Sequence, residues 1–335
     1  MRVLFIGGTG LISTSIARQL LERGHDVTLY NRGRTPNRVP EGAKIITGDR
    51  SDRSTFEKTF ENEQYDVVFD MVAFHPDDTS SAIRAFQGRV GQFVHCSTVC
   101  VYSGPVTQIP TPETEPYHSI GQYGLNKIKC EQLLRDAYSR VNFPVTIMRP
   151  SHSFGEGGDV IRGFGRANTF IDRLRKNKPI VIQGDGNGVW AAMHVDDVAR
   201  GFIGVMGQDR CLGEAYNIAS DEYFTWNDYH NQVAEVVGVT LNPIYIPTDV
   251  LYDVAPDLAG STHEILAWPS LFDNSKIKKD TDYSGQTISF REAVKRTVSW
   301  LDSVNRVENS DNDTYEDELV KAWLTNRGQL PTHSK

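Results

Sequence analysis

RVLFIGGTGLISTSIARQLLERGHDVTLYNR, residues 2–32, decides the fold. Residues 2–6 are a short apolar run, which reads as a strand. After the glycines, Leu11, Ile12, Ile16, Leu20 and Leu21 recur at helical spacing and share one face. Gly24 ends that helix, and residues 26–32 read as a second strand. Strand, glycine turn, helix and strand open a parallel sheet. The fold class is therefore α/β, a Rossmann-type doubly wound parallel sheet with a smaller C-terminal α/β lobe. Gly7-Gly8-Thr9-Gly10-Leu11-Ile12-Ser13 lies between the first strand and the first helix, where a dinucleotide fingerprint belongs. Glycines let the main chain approach a pyrophosphate, and the helix start offers free N–H groups and a positive dipole. Ser13 stands at the third glycine position and is small enough for helix–strand packing.

The end of the second strand normally separates NAD from NADP, because an acid there holds the ribose 2′-hydroxyl. Here the residues are Tyr30-Asn31-Arg32-Gly33-Arg34, with no acid. Asn31 can bond a ribose, and Arg32 or Arg34 can pair with a 2′-phosphate. The cofactor is read as NAD(P), tilted toward NADP. Asp49, after the third strand, is placed to accept from an adenine amino group, or else to close the turn of residues 49–52. Arg50 beside it is counted with the cofactor residues.

Outward from this unit the alternation continues. Residues 43–49, 66–74, 92–102 and 145–151 read as strands three to six, with helices around residues 79–86 and from Tyr123 through residue 140. Residues 155–165 are a glycine-rich loop. Strand, turn, strand and helix follow over 179–206, then a strand at 215–220. This divides the chain into a dinucleotide domain at 1–155, completed by about 186–220, and a substrate lobe from 156–185 and 221–330. An acidic stretch at 308–317 leads into a short helix at 319–324. The chain of 335 residues carries 35 Lys plus Arg against 43 Asp plus Glu, a net charge of −8 that disfavours broad attraction to nucleic acid or anionic membrane. Cys96, Cys100, Cys130 and Cys211 form no CxxC pair and read as buried free thiols, with no metal site. Met1 leads straight into a strand, with no signal peptide and no membrane-length apolar run, so a cytoplasmic protein is expected.

Tyr123-Gly124-Leu125-Asn126-Lys127 places a phenol and an ammonium four residues apart, on one helix face. A phenol ionises near pH ~10. A lysine cation and a positive nicotinamide would lower that value, so that a tyrosinate takes a hydroxyl proton while hydride leaves the same carbon. Ser97 and Thr98, ending the fifth strand, offer a hydroxyl to steer the substrate oxygen.

These motifs, with TGDRSD, VHCSTVCVYSG, MRPSHSFG, GDGNGVW, MHVDDVA and AYNIAS, resemble the extended short-chain dehydrogenases/reductases of the NAD-dependent epimerase/dehydratase family, the family of UDP-galactose 4-epimerase, from Met1 to about Leu301. The resemblance implies Thr98, four residues before Tyr102, with Tyr123 and Lys127 as the catalytic set. It also implies cofactor contacts at Met71, Val72, Ala73 and Pro150, substrate contacts at Phe74, Ser97 and Thr98, and a homodimer built on the helices near 79–86 and after Tyr123. His194, Asp196 and Asp197 are read as structural. Where the family's 4,6-dehydratases carry Asp-Glu, this chain has Val99 and Cys100, so dehydration is not expected. His152 replaces a substrate-contacting asparagine and is read as either structural or a donor to a phosphate or hydroxyl. Trp190 replaces a diphosphate-gripping arginine; it either stacks on substrate or fills core, and Arg162, Arg166, Arg173 and Arg175 are candidates for the lost charge. The leading reading is a sugar-nucleotide epimerase that abstracts a hydride and returns it to the other face. The alternative is an NADP-dependent reductase or dehydrogenase of a carbohydrate-like small molecule. A third is an RNA-binding protein on the same fold, since a branch with similar departures includes the chloroplast stem-loop RNA-binding proteins; the net charge and intact Tyr123 and Lys127 oppose it, and no nucleic-acid or membrane partner is expected.

Overall fold

A computed structural model of the chain describes residues 1–328. Seven strands form one parallel sheet: β1 (Arg2–Ile6), β2 (Asp26–Asn31), β3 (Lys44–Thr47), β4 (Tyr65–Asp70), β5 (Val90–Cys96), β6 (Val145–Pro150) and β7 (Ala215–Ile218). Their order is β7-β6-β5-β4-β1-β2-β3. The helices that flank it are α1 (Leu11–Glu22), α2 (Arg53–Phe60), α3 (Pro76–Phe86), α4 (Gln122–Val141) and α5 (Val195–Gly204). Apolar side chains alternate across β1 because successive residues of a strand point to opposite faces. Val3 and Phe5 pack with Ile16 and Leu20 of α1 and Phe202 of α5. Leu4 and Ile6 pack with Phe56 and Phe60 of α2, Phe86 of α3 and Leu134 of α4. Both faces are thus covered, which is why the strands read as continuous apolar runs. Strand order reverses at β1 and β4, and a ligand crevice belongs beyond their C-terminal ends.

Strand ends differ from the periodic reading, for local reasons. β4 stops at Asp70, four residues short of Phe74, because the Asp70 carboxylate accepts from the Val72 N–H at 3.3 Å and turns the chain. β5 stops at Cys96 because Thr98 Oγ1 accepts from Cys100 N–H at 3.1 Å and starts a 3-10 turn over Val99–Tyr102. β3 is the sheet edge, with Lys44, Ile45 and Thr47 exposed.

The chain divides into two compact units. The first comprises Met1–Ser153, Ala191–Asp221 and Leu271–Ile288. Its last segment, read from sequence as part of the second lobe, is stitched beside β7: Asn274 Nδ2 donates to the Ala219 carbonyl at 2.8 Å, and Tyr216 Oη donates to Asp280 at 3.1 Å. The second unit comprises Phe154–Trp190, Glu222–Ser270 and the chain from Ser289. In it Ile180–Gln183 pairs in parallel with Pro243–Ile246, and Phe164, Val181, Ile246, Leu251 and Val320 share a core. The tail helix is longer than the apolar residues suggest, Tyr315–Arg327. It starts earlier because Glu316 turns inward onto Arg162 at 2.5 Å and Arg173 at 3.2 Å. No helix among the described residues is long and apolar enough to cross a membrane.

Candidate active site

The glycine loop runs from β1 into α1. Gly7 and Gly8 have φ of 107° and 95°, in the region that favours glycine. A Cβ on Gly8 would lie 2.7 Å from Leu29 Cδ2, and one on Gly7 would lie 3.0 Å from Val72 Cγ1. Gly10 caps α1, its N–H donating to Ser13 Oγ at 2.9 Å, and the first turn carries no acid. Thr9, Leu11 and Ile12 complete the loop and the helix start. Thr35 Oγ1 donates to Thr9 Oγ1 at 2.8 Å, tethering the segment after β2 to the loop. Asn31 Oδ1 accepts from Gly33 N–H at 2.8 Å, while its buried Nδ2 has no hydrogen-bond partner among the described residues. An open helix start, a Cβ-free cradle and an unsatisfied amide donor beside it fit the pyrophosphate and ribose of a dinucleotide. Gly8→Ala is expected to cost about 1–3 kcal/mol in backbone strain and to weaken nicotinamide dinucleotide binding at least tenfold, as thermal unfolding and cofactor fluorescence would record.

Arg32 and Arg34 are exposed. Asp49 spends one carboxylate oxygen on its turn, accepting from Ser51 N–H at 3.0 Å and Ser51 Oγ at 2.7 Å. These bonds, with the charges of Arg32 and Arg34, hold its carboxyl below the ordinary value. Arg50 does not reach outward: it donates to Asp70 at 2.5 Å and to the Asp78 carbonyl at 2.7 Å.

Tyr123 and Lys127 lie in the first turns of α4. Lys127 is buried, and its Nζ donates to the carbonyls of Ala73 at 2.8 Å and Cys96 at 2.7 Å. That places the ammonium at the ends of β4 and β5, 5.3 Å from the Phe74 ring centre and 5.9 Å from that of Tyr123. The expectation that lysine depresses the phenol needs correction for the protein alone. Although the residue is 43% exposed, desolvation of its hydroxyl end, with the nearby Cys96 and Cys100 thiols, pushes the Tyr123 phenol above its ordinary value, and the hydrogen bond with Thr98 works against them. Lys127 is directed at main-chain carbonyls instead. Thr98, Tyr123 and Lys127 are therefore brought together. Thr98 Oγ1 accepts the Cys100 N–H, which leaves its own hydrogen to donate.

The Ser97 hydroxyl is buried and donates to Glu131 at 2.5 Å, so its hydrogen is already taken up within the protein. Trp190 also departs from a substrate role: in the second unit it is 3% exposed and stacked on Trp226, with ring centres 4.7 Å apart. An indole packed on an indole fills core. His152 is held down to about 4 by burial and is neutral at pH 7, so it brings no charge to a phosphate. Pro150 ends β6, Met71 and Val72 follow β4, and Phe74 is 46% exposed beside Tyr123. The arginines offered as replacement charge are all paired within the second unit: Arg162 with Glu316, Arg166 with Asp313 at 2.8 Å, Arg173 with Asp317 at 2.7 Å, and Arg175 with Asp302 at 2.7 Å. His194 caps α5, and Asp196 accepts from Ser15 at 2.6 Å. Asp197 accepts the Thr287 and Ile288 N–H groups at 3.1 and 2.9 Å. The four cysteines are free thiols, and no cluster among the described residues is arranged to hold a metal ion.

The motifs that mark the site do not include the buried ion pair beneath it. Arg149 and Glu131 are both buried and paired at 2.5 Å, with Tyr117 Oη donating to Glu131 at 2.7 Å. The signal was available: an arginine inside the apolar strand VTIMRP requires a buried partner.

Residues 3–219 match the NAD dependent epimerase/dehydratase family. The 2′-dehydrokanamycin reductase of Streptomyces kanamyceticus is 25% identical over 82% of this chain and 77% of its own length. The chloroplast stem-loop binding protein of 41 kDa b of Arabidopsis thaliana is 26% identical over 71% of this chain and 63% of its own. Among solved structures, the UDP-glucose 4-epimerase of Thermotoga maritima with UDP-glucose superposes with a TM-score of 0.75 at 22% identity, covering 91% of this chain and all of that one.

Proposed function

The chain belongs to the NAD dependent epimerase/dehydratase family, and from that premise we propose that it is an NADP-dependent reductase or dehydrogenase of a carbohydrate-like substrate that carries no nucleoside diphosphate. The observation that carries this reading is the pairing of the arginines. From Arg162 to Arg306, each arginine of the second unit is bonded to a carboxylate of that unit. A guanidinium already bonded to a carboxylate has fewer free donors and less uncompensated charge to offer a diphosphate. With Trp190 in core and His152 neutral, neither of these two positions supplies a charge for gripping a diphosphate. The likeness to a reductase named for a kanamycin derivative supports the same choice.

When bound, the nicotinamide supplies or accepts the hydride. The chain's own residues do the rest. Thr98 donates its hydroxyl hydrogen to the substrate oxygen, and Tyr123 moves a proton to or from that oxygen. Lys127, fixed on the Ala73 and Cys96 carbonyls, has a third N–H left for the cofactor ribose. Val99 and Cys100 provide no carboxylic acid for removing water.

The test is net absorbance change at the nicotinamide band with NADPH and a panel of keto-sugars and keto-aminoglycosides. Stoichiometric loss of NADPH supports the reading. Interconversion of nucleotide-sugar C4 epimers without net absorbance change would overturn it in favour of epimerisation. For the dinucleotide, Arg32→Ala together with Arg34→Ala is expected to weaken NADPH by about tenfold or more while barely changing NADH. Equal losses for both would remove the assigned 2′-phosphate contact.

A further inference from the structure

Asp70 ends β4 and is completely buried. Its Oδ1 accepts from Arg50 Nη1 at 2.5 Å and from the Val72 N–H at 3.3 Å. Arg50 sits in the turn after β3 that also holds Asp49, and its other arm donates to the Asp78 carbonyl at the start of α3 at 2.7 Å. Val72 precedes Ala73, whose carbonyl receives Lys127 Nζ at 2.8 Å. One carboxylate therefore joins the turn on the adenine side of the cradle to the segment that holds the catalytic lysine.

The surroundings show that this arrangement is not the cheapest way to fill the space. His95 lies in register beside Asp70 on β5 and is also completely buried. Burial, with the charges of Lys127 and Arg50, keeps its imidazole well below the ordinary value, so it remains neutral and does not compete with Arg50 for the carboxylate. Asp70 Oδ2, Arg50 Nε and both ring nitrogens of His95 are buried with no hydrogen-bond partner among the described residues. Each such atom costs stability. Apolar residues of similar volume would serve packing as well or better. A polar cluster kept against that cost, within one residue of the lysine-holding segment, points to a role in the site.

We infer that Asp70 and Arg50 are positioning residues that couple the adenine-side turn to Lys127, so that ordering one end of the cradle orders the other. This rests on the dinucleotide reading of the site. The coupling is measurable as non-additivity. Kd for NADPH is to be determined by fluorescence for the wild-type protein, Arg50→Gln, Lys127→Met and the double variant, with thermal unfolding followed for each. Each single change is expected to weaken binding about tenfold. The double variant is expected to fall at least about threefold short of the product of the two, because each change already loosens what the other uses. In an Asp70→Asn background the same two changes multiply, since the link is gone. Loss of stability alone moves unfolding temperature and leaves the effects on Kd multiplicative. Arg50→Lys takes the place of Arg50→Gln if the latter does not fold. Multiplicative effects in the wild-type background overturn the coupling. A wild-type protein that binds neither NADPH nor NADH overturns the dinucleotide site itself, and the two failures are told apart by that first measurement.

Discussion

Tyr123→Phe is expected to lower turnover about 10²–10⁴-fold while NADPH still binds. The ring is kept, so its contact beside Phe74 survives. What is lost is the one proton. In the protein alone desolvation of the hydroxyl end and two neighbouring thiols push the phenol above its ordinary value, so at neutral pH it is a proton donor. That state suits reduction: a neutral phenol gives its proton to the carbonyl oxygen as hydride reaches the carbon. Rates of NADPH oxidation are therefore expected to hold through neutral pH and to fall only on the alkaline side, as pH rises toward the raised value of the phenol. Lys127→Met is expected to act differently. It removes the group anchored on Ala73 and Cys96, and both cofactor affinity and turnover fall. Initial rates and NADPH fluorescence on the two variants separate these outcomes. Retention of more than a tenth of wild-type turnover by Tyr123→Phe would remove the phenol from the chemistry.

The dinucleotide half of the molecule is legible because its signals are short-ranged. Gly7 to Ser13 fall within one turn, and Tyr123 and Lys127 are one helical turn apart. Strand ends are less so, because they depend on single side-chain bonds, from Asp70 to Val72 and from Thr98 to Cys100. Least legible are pairings between residues far apart in sequence. Nothing near Arg162 foretells Glu316, which lies 154 residues on. Yet that pairing separates a free phosphate-binding arginine from a neutralised one, and so bears on the substrate. Ser97 and Thr98 show the same limit over one residue. Adjacent hydroxyls on an extended chain face opposite ways, and only the position of Glu131 reveals that Ser97 is the one turned inward.

Glu131 also carries the largest expected effect on stability. Tyr123, Lys127 and Glu131 are spaced four apart and form one stripe along α4. The first two are the residues proposed for the chemistry, and the third fixes the helix to the sheet. Its carboxylate takes Arg149 Nε at 3.0 Å and Nη2 at 2.5 Å, along with Ser97 and Tyr117. Glu131→Gln leaves the Arg149 cation buried without its counter-ion. The expected cost is about 3–5 kcal/mol, read as a fall in the urea midpoint. A purely apolar double replacement, Glu131→Leu with Arg149→Met, removes both charges and is expected to recover part of that loss. Burial by itself pushes the Glu131 carboxyl up, but the hydrogen bonds and charge of Arg149, with Ser97 and Tyr117, hold it below the ordinary value. A carboxyl lowered on folding stabilises the protein above its unfolded value, near pH ~4.3, and loses that contribution as pH falls through the folded one. The wild-type protein should therefore lose stability across this acidic range more steeply than Glu131→Gln, whose curve lacks the step. Parallel curves would mean that the pair is no more than neutral filling. Because the stripe is continuous, the Glu131→Gln protein should also show weaker NADPH binding, through displaced Lys127, at temperatures where it is still folded.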